Sequence, residues 1–157
     1  MSREFYDSAV FGELAKLKSM YQADPAILHS VDEYGFTALH GVASEEHIDI
    51  AEWLIKQGIN PNVKNDDGIT PLHLAAYPEM VELLCSLGAN IDAQANNGYT
   101  PLMNNAVEPD TEEVMEALLE LGAKINVKDK KGRTAFDLSN MRGEDEKVKL
   151  LKTYGAK

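Results

Sequence analysis

Ten residues separate Gly58 from Gly68, Gly88 from Gly98, and Gly122 from Gly132. The first glycine of each pair closes an apolar run, LIKQG, LCSLG or LELG. The second opens a Gly-x-Thr unit: GITPLH at Gly68, GYTPLM at Gly98 and GRTAFD at Gly132, with a fourth copy, GFTALH, at Gly35. Within the units the interval to the closing glycine varies, at 23, 20, 24 and 23 residues, the last ending in LKTYG at Gly155. A connecting loop of constant length has to register against its neighbour, whereas a helical hairpin can gain or lose a turn residue. Such self-similarity is the mark of stacked repeats, in which each unit buries its apolar face only against the next.

Each part of the unit has a physical reason. Thr37, Thr70, Thr100 and Thr134 are predicted N-caps, whose hydroxyls satisfy free N–H groups of a first helical turn. Pro71 and Pro101 follow at the first helical position, where a missing N–H costs nothing. Gly58, Gly88 and Gly122 fit the left-handed residue just past a helix end. Asp67-Gly68 and Asn97-Gly98 are tight-turn dipeptides ahead of the next cap. Leu39, Leu72, Leu102 and Phe136 recur at one expected core position, as do the pairs Leu54-Ile55, Leu84-Cys85 and Leu118-Leu119.

Taken together, GITPLHLAA followed by EMVELLCSLGANIDAQ resembles the ankyrin repeat, G-x-T-P-L-H-x-A-A, a second helix, then G-A-D-x-N. The resemblance implies an all-α solenoid of stacked helix-turn-helix units joined by hairpin-like fingers, and a non-catalytic role in binding proteins on the concave side. One domain over 1–157 is expected: a degenerate N-terminal cap at 1–31, with AVFGELAKLKSMY helix-like, then repeats at 32–64, 65–94 (shortened) and 95–128, and a capping repeat at 129–157. The shortening falls in AAYPEM, where Tyr77-Pro78 should end a first helix early, because the residue before proline is pushed out of the helical region. The next repeat inserts a residue in AVEPDTEEV and replaces the usual histidine with Met103.

Charge bounds the partner. The chain carries −11 overall, which opposes sequence-independent binding to nucleic acid phosphates. Between Asn65 and Ala123 there is no Lys or Arg, while nine acids fall between Glu79 and Glu120. The last 35 residues reverse the sign, with ten Lys/Arg against five Asp/Glu. Lys147, Lys149 and Lys152 are expected on the solvated face of a capping helix. A single cysteine, Cys85, excludes an internal disulfide and fits a reducing compartment. The N-terminus has no signal-peptide pattern and no segment is apolar enough for a membrane span, so the expected address is the cytoplasm.

No cofactor or metal is expected. His40 and His73 stand 33 residues apart at one repeat position. Helices pack about 8–10 Å apart, whereas two nitrogens on one zinc lie within about 4 Å, so successive histidines of this kind cannot share an ion. The resemblance implies a structural histidine instead. Cys85 and Trp53 are expected in packing. Residues flanking each first glycine face the partner in such proteins, which selects Glu33, Tyr34 and Phe36, then Asp66, Asp67 and Ile69, then Asn96, Asn97 and Tyr99, with Lys130, Lys131 and Arg133 last. From the first-helix side come Tyr77, Val107 and Glu108, with Ser44 and Glu45. Aromatic anchors rimmed by acids are hot-spot chemistry, and a monomer binding a basic protein is expected. A small acidic chain of this kind resembles the ankyrin-type immunity or antitoxin proteins of bacteria, which occlude a toxin; the alternative is an adaptor or regulatory subunit. An enzyme is disfavoured.

Overall fold

A computed structural model describes residues 3–156 of the chain; the ends of the expected domain at Met1 and Lys157 lie outside them. Among the described residues nine α-helices follow one another: α1 (Arg3–Val10), α2 (Leu14–Ala23), α3 (Ala38–Val42), α4 (Ile48–Lys56), α5 (Pro78–Ser86), α6 (Pro101–Val107), α7 (Glu112–Glu120), α8 (Ala135–Arg142) and α9 (Asp145–Thr153). Two 3-10 turns, Pro25–His29 and Pro71–Leu74, complete the set, and no strand occurs among the described residues. The all-helical solenoid expected from the repeats is what forms.

The helices make two layers. In the inner layer α1 packs on α3, α3 on the Pro71–Leu74 turn, that turn on α6, and α6 on α8. In the outer layer α4 packs on α5, α5 on α7, and α7 on α9. The core runs between them as one continuous cluster. Leu39, Leu72 and Leu102 are buried there with Leu54, Leu84 and Leu118, while Phe136, Ile55 and Cys85 are only partly covered. Trp53 packs edge-on against Tyr21 of α2, with ring centroids 5.6 Å apart. Burial raises the Cys85 thiol above its ordinary value, so it acts as a packing group and not as a thiolate.

The N-terminal segment is more regular than its sequence suggests. The stretch expected to be one helix is broken at Phe11–Glu13, so α1 and α2 form a hairpin like the later units.

The shortened unit departs further from expectation. Its first helix is a single 3-10 turn; Ala75 has already left the helical region, with ψ of 118°, and Tyr77 is extended, with ψ of 141°. Pro78 does force Tyr77 out of helix, but it also opens α5 as that helix's first residue. The Ala76 N–H reaches back to the Ala43 carbonyl at 3.2 Å. A bond to the preceding unit thus replaces a turn that the deletion removed.

The lengthened unit is closed by a residue from the next one. Lys147 of α9 is fully buried, contrary to its expected place on a solvated face. Its ammonium donates to the Asn105 carbonyl at 3.2 Å and to the Glu108 carbonyl. Both carbonyls belong to the end of α6, where helix termini leave acceptors free and a cation is favoured. The Thr111 hydroxyl donates to the same Asn105 oxygen at 2.6 Å, and Asp110 takes a positive φ of 53°. The inserted residue is therefore absorbed in a tied loop. Lys149, by contrast, is exposed and pairs with Glu146 at 2.6 Å.

Candidate partner-binding face

Each finger is a four-residue turn held by one side chain. Asp32 Oδ1 accepts the N–H groups of Tyr34 (2.9 Å) and Phe36 (2.8 Å). Asn65 Oδ1 accepts from Asp67 (3.1 Å) and Ile69 (2.8 Å), and Asp129 Oδ1 from Lys131 (2.8 Å) and Arg133 (2.9 Å). The third finger has Ala95 at this position, and there Asn97 Oδ1 accepts the Tyr99 N–H at 2.8 Å. Asp32, Asn65 and Asp129 are organising residues that the sequence analysis did not single out. Their signal is an Asp or Asn three residues before the glycine.

The fingers are also joined to one another. The Asp66 N–H donates to the Tyr34 carbonyl (3.0 Å), Asn96 N–H to Asp67 (2.8 Å), and Lys130 N–H to Asn97 (3.2 Å). The tip residues are thereby brought into one row.

Two histidines fasten this row to the inner helices. His40 Nδ1 accepts the Thr37 N–H at 3.1 Å, while Nε2 faces the Ile69 carbonyl of the next finger at 3.0 Å. His73 repeats the arrangement with the Thr70 N–H (3.2 Å) and the Tyr99 carbonyl (3.0 Å). A carbonyl only accepts, so Nε2 carries the proton; a backbone N–H only donates, so Nδ1 is bare. Both rings are neutral, and burial holds both pKa values below the ordinary histidine value. The expected structural role is thus resolved into a bond between units.

The sign of the pH dependence follows. A histidine whose folded pKa is lowered contributes stability that is present above the unfolded value, about 6.5, and lost as pH falls through the folded one. We expect the melting temperature to drop between pH 7 and pH 5, and the His40 and His73 ring protons to titrate below about 6.5. Titration of either ring above that value would contradict the neutral assignment.

The candidate residues fall into three places. Glu33, Tyr34, Asp66, Asp67, Asn96 and Asn97 are exposed on the finger row, with Tyr34 61% accessible. Phe36, Ile69 and Tyr99 lie just behind it and are half-buried. Phe36 packs edge-on against His40, with centroids 5.4 Å apart. Tyr99 has the Arg133 guanidinium 5.9 Å above its ring and accepts from Arg133 Nη2 at 3.2 Å. These contacts make Phe36 and Tyr99 part of the finger packing.

Tyr99 also joins the second place. With Asn97, Val107 and Glu108 it lines a hollow of about 470 Å³ between the fingers and the inner helices. Asn104, Arg133, Leu138, Met141 and Arg142 complete that hollow. Met141, 69% exposed, and Arg142 were not foreseen. Tyr77 stands in a third place. It shares a smaller hollow, about 290 Å³, with Glu46, Ile48 and Glu79, and no finger residue lines it.

The acids of the middle segment also lie elsewhere. Glu79, Glu82, Glu112, Glu113, Glu116 and Glu120 belong to α5 and α7 of the outer layer, so the finger tips take their negative charge from Glu33, Asp66 and Asp67, and of the middle acids Glu108 lines the hollow behind them. Among the described residues no three His, Cys, Asp or Glu side chains lie close enough to hold a metal ion, and no helix is long and apolar enough to cross a membrane.

Paired helices in two layers, turned-out fingers bonded in series, and a hollow beneath them define a helical-repeat protein that presents one continuous face. Comparison with known families agrees: the model for ankyrin repeats (3 copies) matches residues 7–95 and again 77–157. The chain belongs to the ankyrin-repeat family. Among its relatives, a Saccharomyces cerevisiae protein named "Probable 26S proteasome regulatory subunit p28" is 28% identical over 140 residues, covering 86% of this chain and 61% of that one. Protein phosphatase 1 regulatory subunit 27 of Mus musculus is 29% identical over 115 residues, 71% of this chain and 73% of that one. An ankyrin repeat protein of Rickettsia felis is 30% identical over 124 residues, 76% of this chain and 40% of that one. The chain therefore spans under two thirds of the yeast and rickettsial relatives.

Proposed function

We propose that this chain is a non-catalytic binding subunit that controls a partner protein by occupying it with the finger row and the hollow behind it. The observation that carries the proposal is the row itself: its tip side chains stand exposed in register, on a backbone ladder that holds them still. A preformed surface loses little freedom on binding, so its contacts convert into affinity. Two of the relatives described above are named as regulatory subunits, which supports control of a larger partner as the use. No relative described above is an immunity protein or antitoxin, and the toxin-neutralising variant of this reading rests on small size and acidity alone. The partner is proposed to offer basic groups to Glu33, Asp66 and Asp67, and the chain to act as a monomer in the cytoplasm, a setting that its single half-buried thiol suits.

The test uses the partner recovered from cells that make the protein. Tyr34→Ala should weaken binding at least tenfold, about 1.4 kcal/mol or more, with the melting temperature unchanged. Lys149→Ala, on the outer face of α9, should leave binding unaffected. Normal binding by the Tyr34 variant, or loss with the Lys149 variant, would move the site away from the fingers.

A further inference from the structure

The two tip positions before each finger glycine carry a graded charge. They are Glu33-Tyr34 in the first finger, Asp66-Asp67 in the second, Asn96-Asn97 in the third and Lys130-Lys131 in the fourth. All eight residues are exposed. Among the described residues none of the five charged ones takes part in an ion pair. Lys64, next to the second finger, turns its ammonium to the Gln94 carbonyl at 3.0 Å. Arg133 adds no net charge to the fourth finger, because its guanidinium is bound to Asp129 at 2.7 Å. Arg142 and Glu108, both exposed on the wall of the adjoining hollow, offset one another, so the basic end rests on Lys130 and Lys131.

Spacing keeps the two ends distinct. Repeats stack roughly 10 Å apart, so the second and fourth fingers are about 20 Å from each other. The screening length at physiological salt is about 8 Å, so the acidic and basic ends do not cancel through solvent. A uniformly basic partner gains at one end of the row and is repelled at the other. The surface that gains along the whole row has the opposite polarity.

We propose that the finger row recognises an extended partner segment with basic residues over the first two fingers, uncharged polar residues over the Asn96-Asn97 pair, and acidic residues over Lys130 and Lys131. This rests on the protein-binding role proposed above and adds a direction to it. Four fingers span about 30 Å, which an extended segment of about nine residues covers.

The probes are three twelve-residue peptides: one with four Lys, four Ser and four Glu in blocks, one in which Lys replaces the Glu block, and one in which Glu replaces the Lys block. At about 0.15 M salt the block peptide should bind at least tenfold more tightly than either other peptide. A spin label on its acidic end should broaden the amide signals of Lys130 and Lys131 and spare those of Glu33 and Tyr34. The double variant Lys130→Glu/Lys131→Glu should reverse the preference toward the basic peptide, with an unchanged melting temperature. Equal binding of the basic and block peptides, equal broadening at both ends, or no binding by any peptide would overturn the inference. So would a dimer in sedimentation that dissolves on the same double substitution, because an antiparallel second copy would then be what covers the row. Should Tyr34→Ala abolish capture of the natural partner while the lysine pair proves neutral, the binding role stands and the polarity fails. Loss of neither would sink both.

Discussion

Replacing Lys147 with alanine is expected to lower the stability of the protein by about 3–5 kcal/mol. The side chain is fully buried and its ammonium serves the Asn105 and Glu108 carbonyls. Hydrogen bonds to a charged group contribute about 1.5–3 kcal/mol each, and a buried stem leaves a cavity when removed. Lys147→Met separates the two effects, since it fills most of the space while losing both bonds; because the bonds make up the larger share, it should keep most of the loss, at about 3 kcal/mol. Chemical denaturation of the two variants reads the difference. The loop at 108–111 should show faster amide exchange in both, because α9 no longer holds it. A methionine variant as stable as the parent would mean that the stem alone matters.

The second large effect is expected at Gly98. Its φ is +87°, and a Cβ there would lie 2.7 Å from the Lys130 backbone nitrogen. Alanine therefore meets two penalties: about 1–2 kcal/mol for the left-handed backbone, and a contact that parts the third and fourth fingers. The bond from Lys130 to the Asn97 carbonyl should break with it. Gly88 provides the control, because its φ of +94° is close to that of Gly98 and nothing lies within 4 Å of a Cβ. Gly88→Ala should show the backbone strain only. We expect Gly98→Ala to be the more destabilising by at least about 1 kcal/mol and to weaken partner binding, whereas Gly88→Ala leaves binding intact. Equal losses in the two variants would mean that the fingers are not rigidly coupled.

Much of this was legible in the residues. The ten-residue interval and the Asp-Gly and Asn-Gly dipeptides place the fingers, and the Thr-Pro pairs place the helix starts, because both are local chemistry. The charges of the tip residues are plain in the sequence too, but which tips stand side by side depends on the bonds between fingers. What was not legible depends on contacts made far along the chain. Lys147 shares helix α9 with Lys149 and Lys152 and looks equally solvated until the insertion near Asp110 leaves two carbonyls for it to reach. Tyr77 sits in the expected turn, yet nothing local announces the bond from the adjoining Ala76 N–H to the Ala43 carbonyl of the preceding unit. Tyr99 reads as an exposed anchor, but Arg133, 34 residues away, covers its ring. Tyr99→Ala should accordingly lower the melting temperature as well as binding, which makes Tyr34 the cleaner probe.

A photoreactive amino acid can be placed singly at Tyr34, Asp67, Asn97 or Lys130 on the fingers, and at Glu82 or Glu116 on outer helices α5 and α7. Irradiation of cells that make each variant, followed by mass spectrometry, reads which positions touch a partner. The account predicts that all four finger positions yield an adduct with the same protein and that the two outer positions yield none. Adducts from Glu82 and Glu116, with none from the fingers, would place the binding face on the other side of the stack and contradict it.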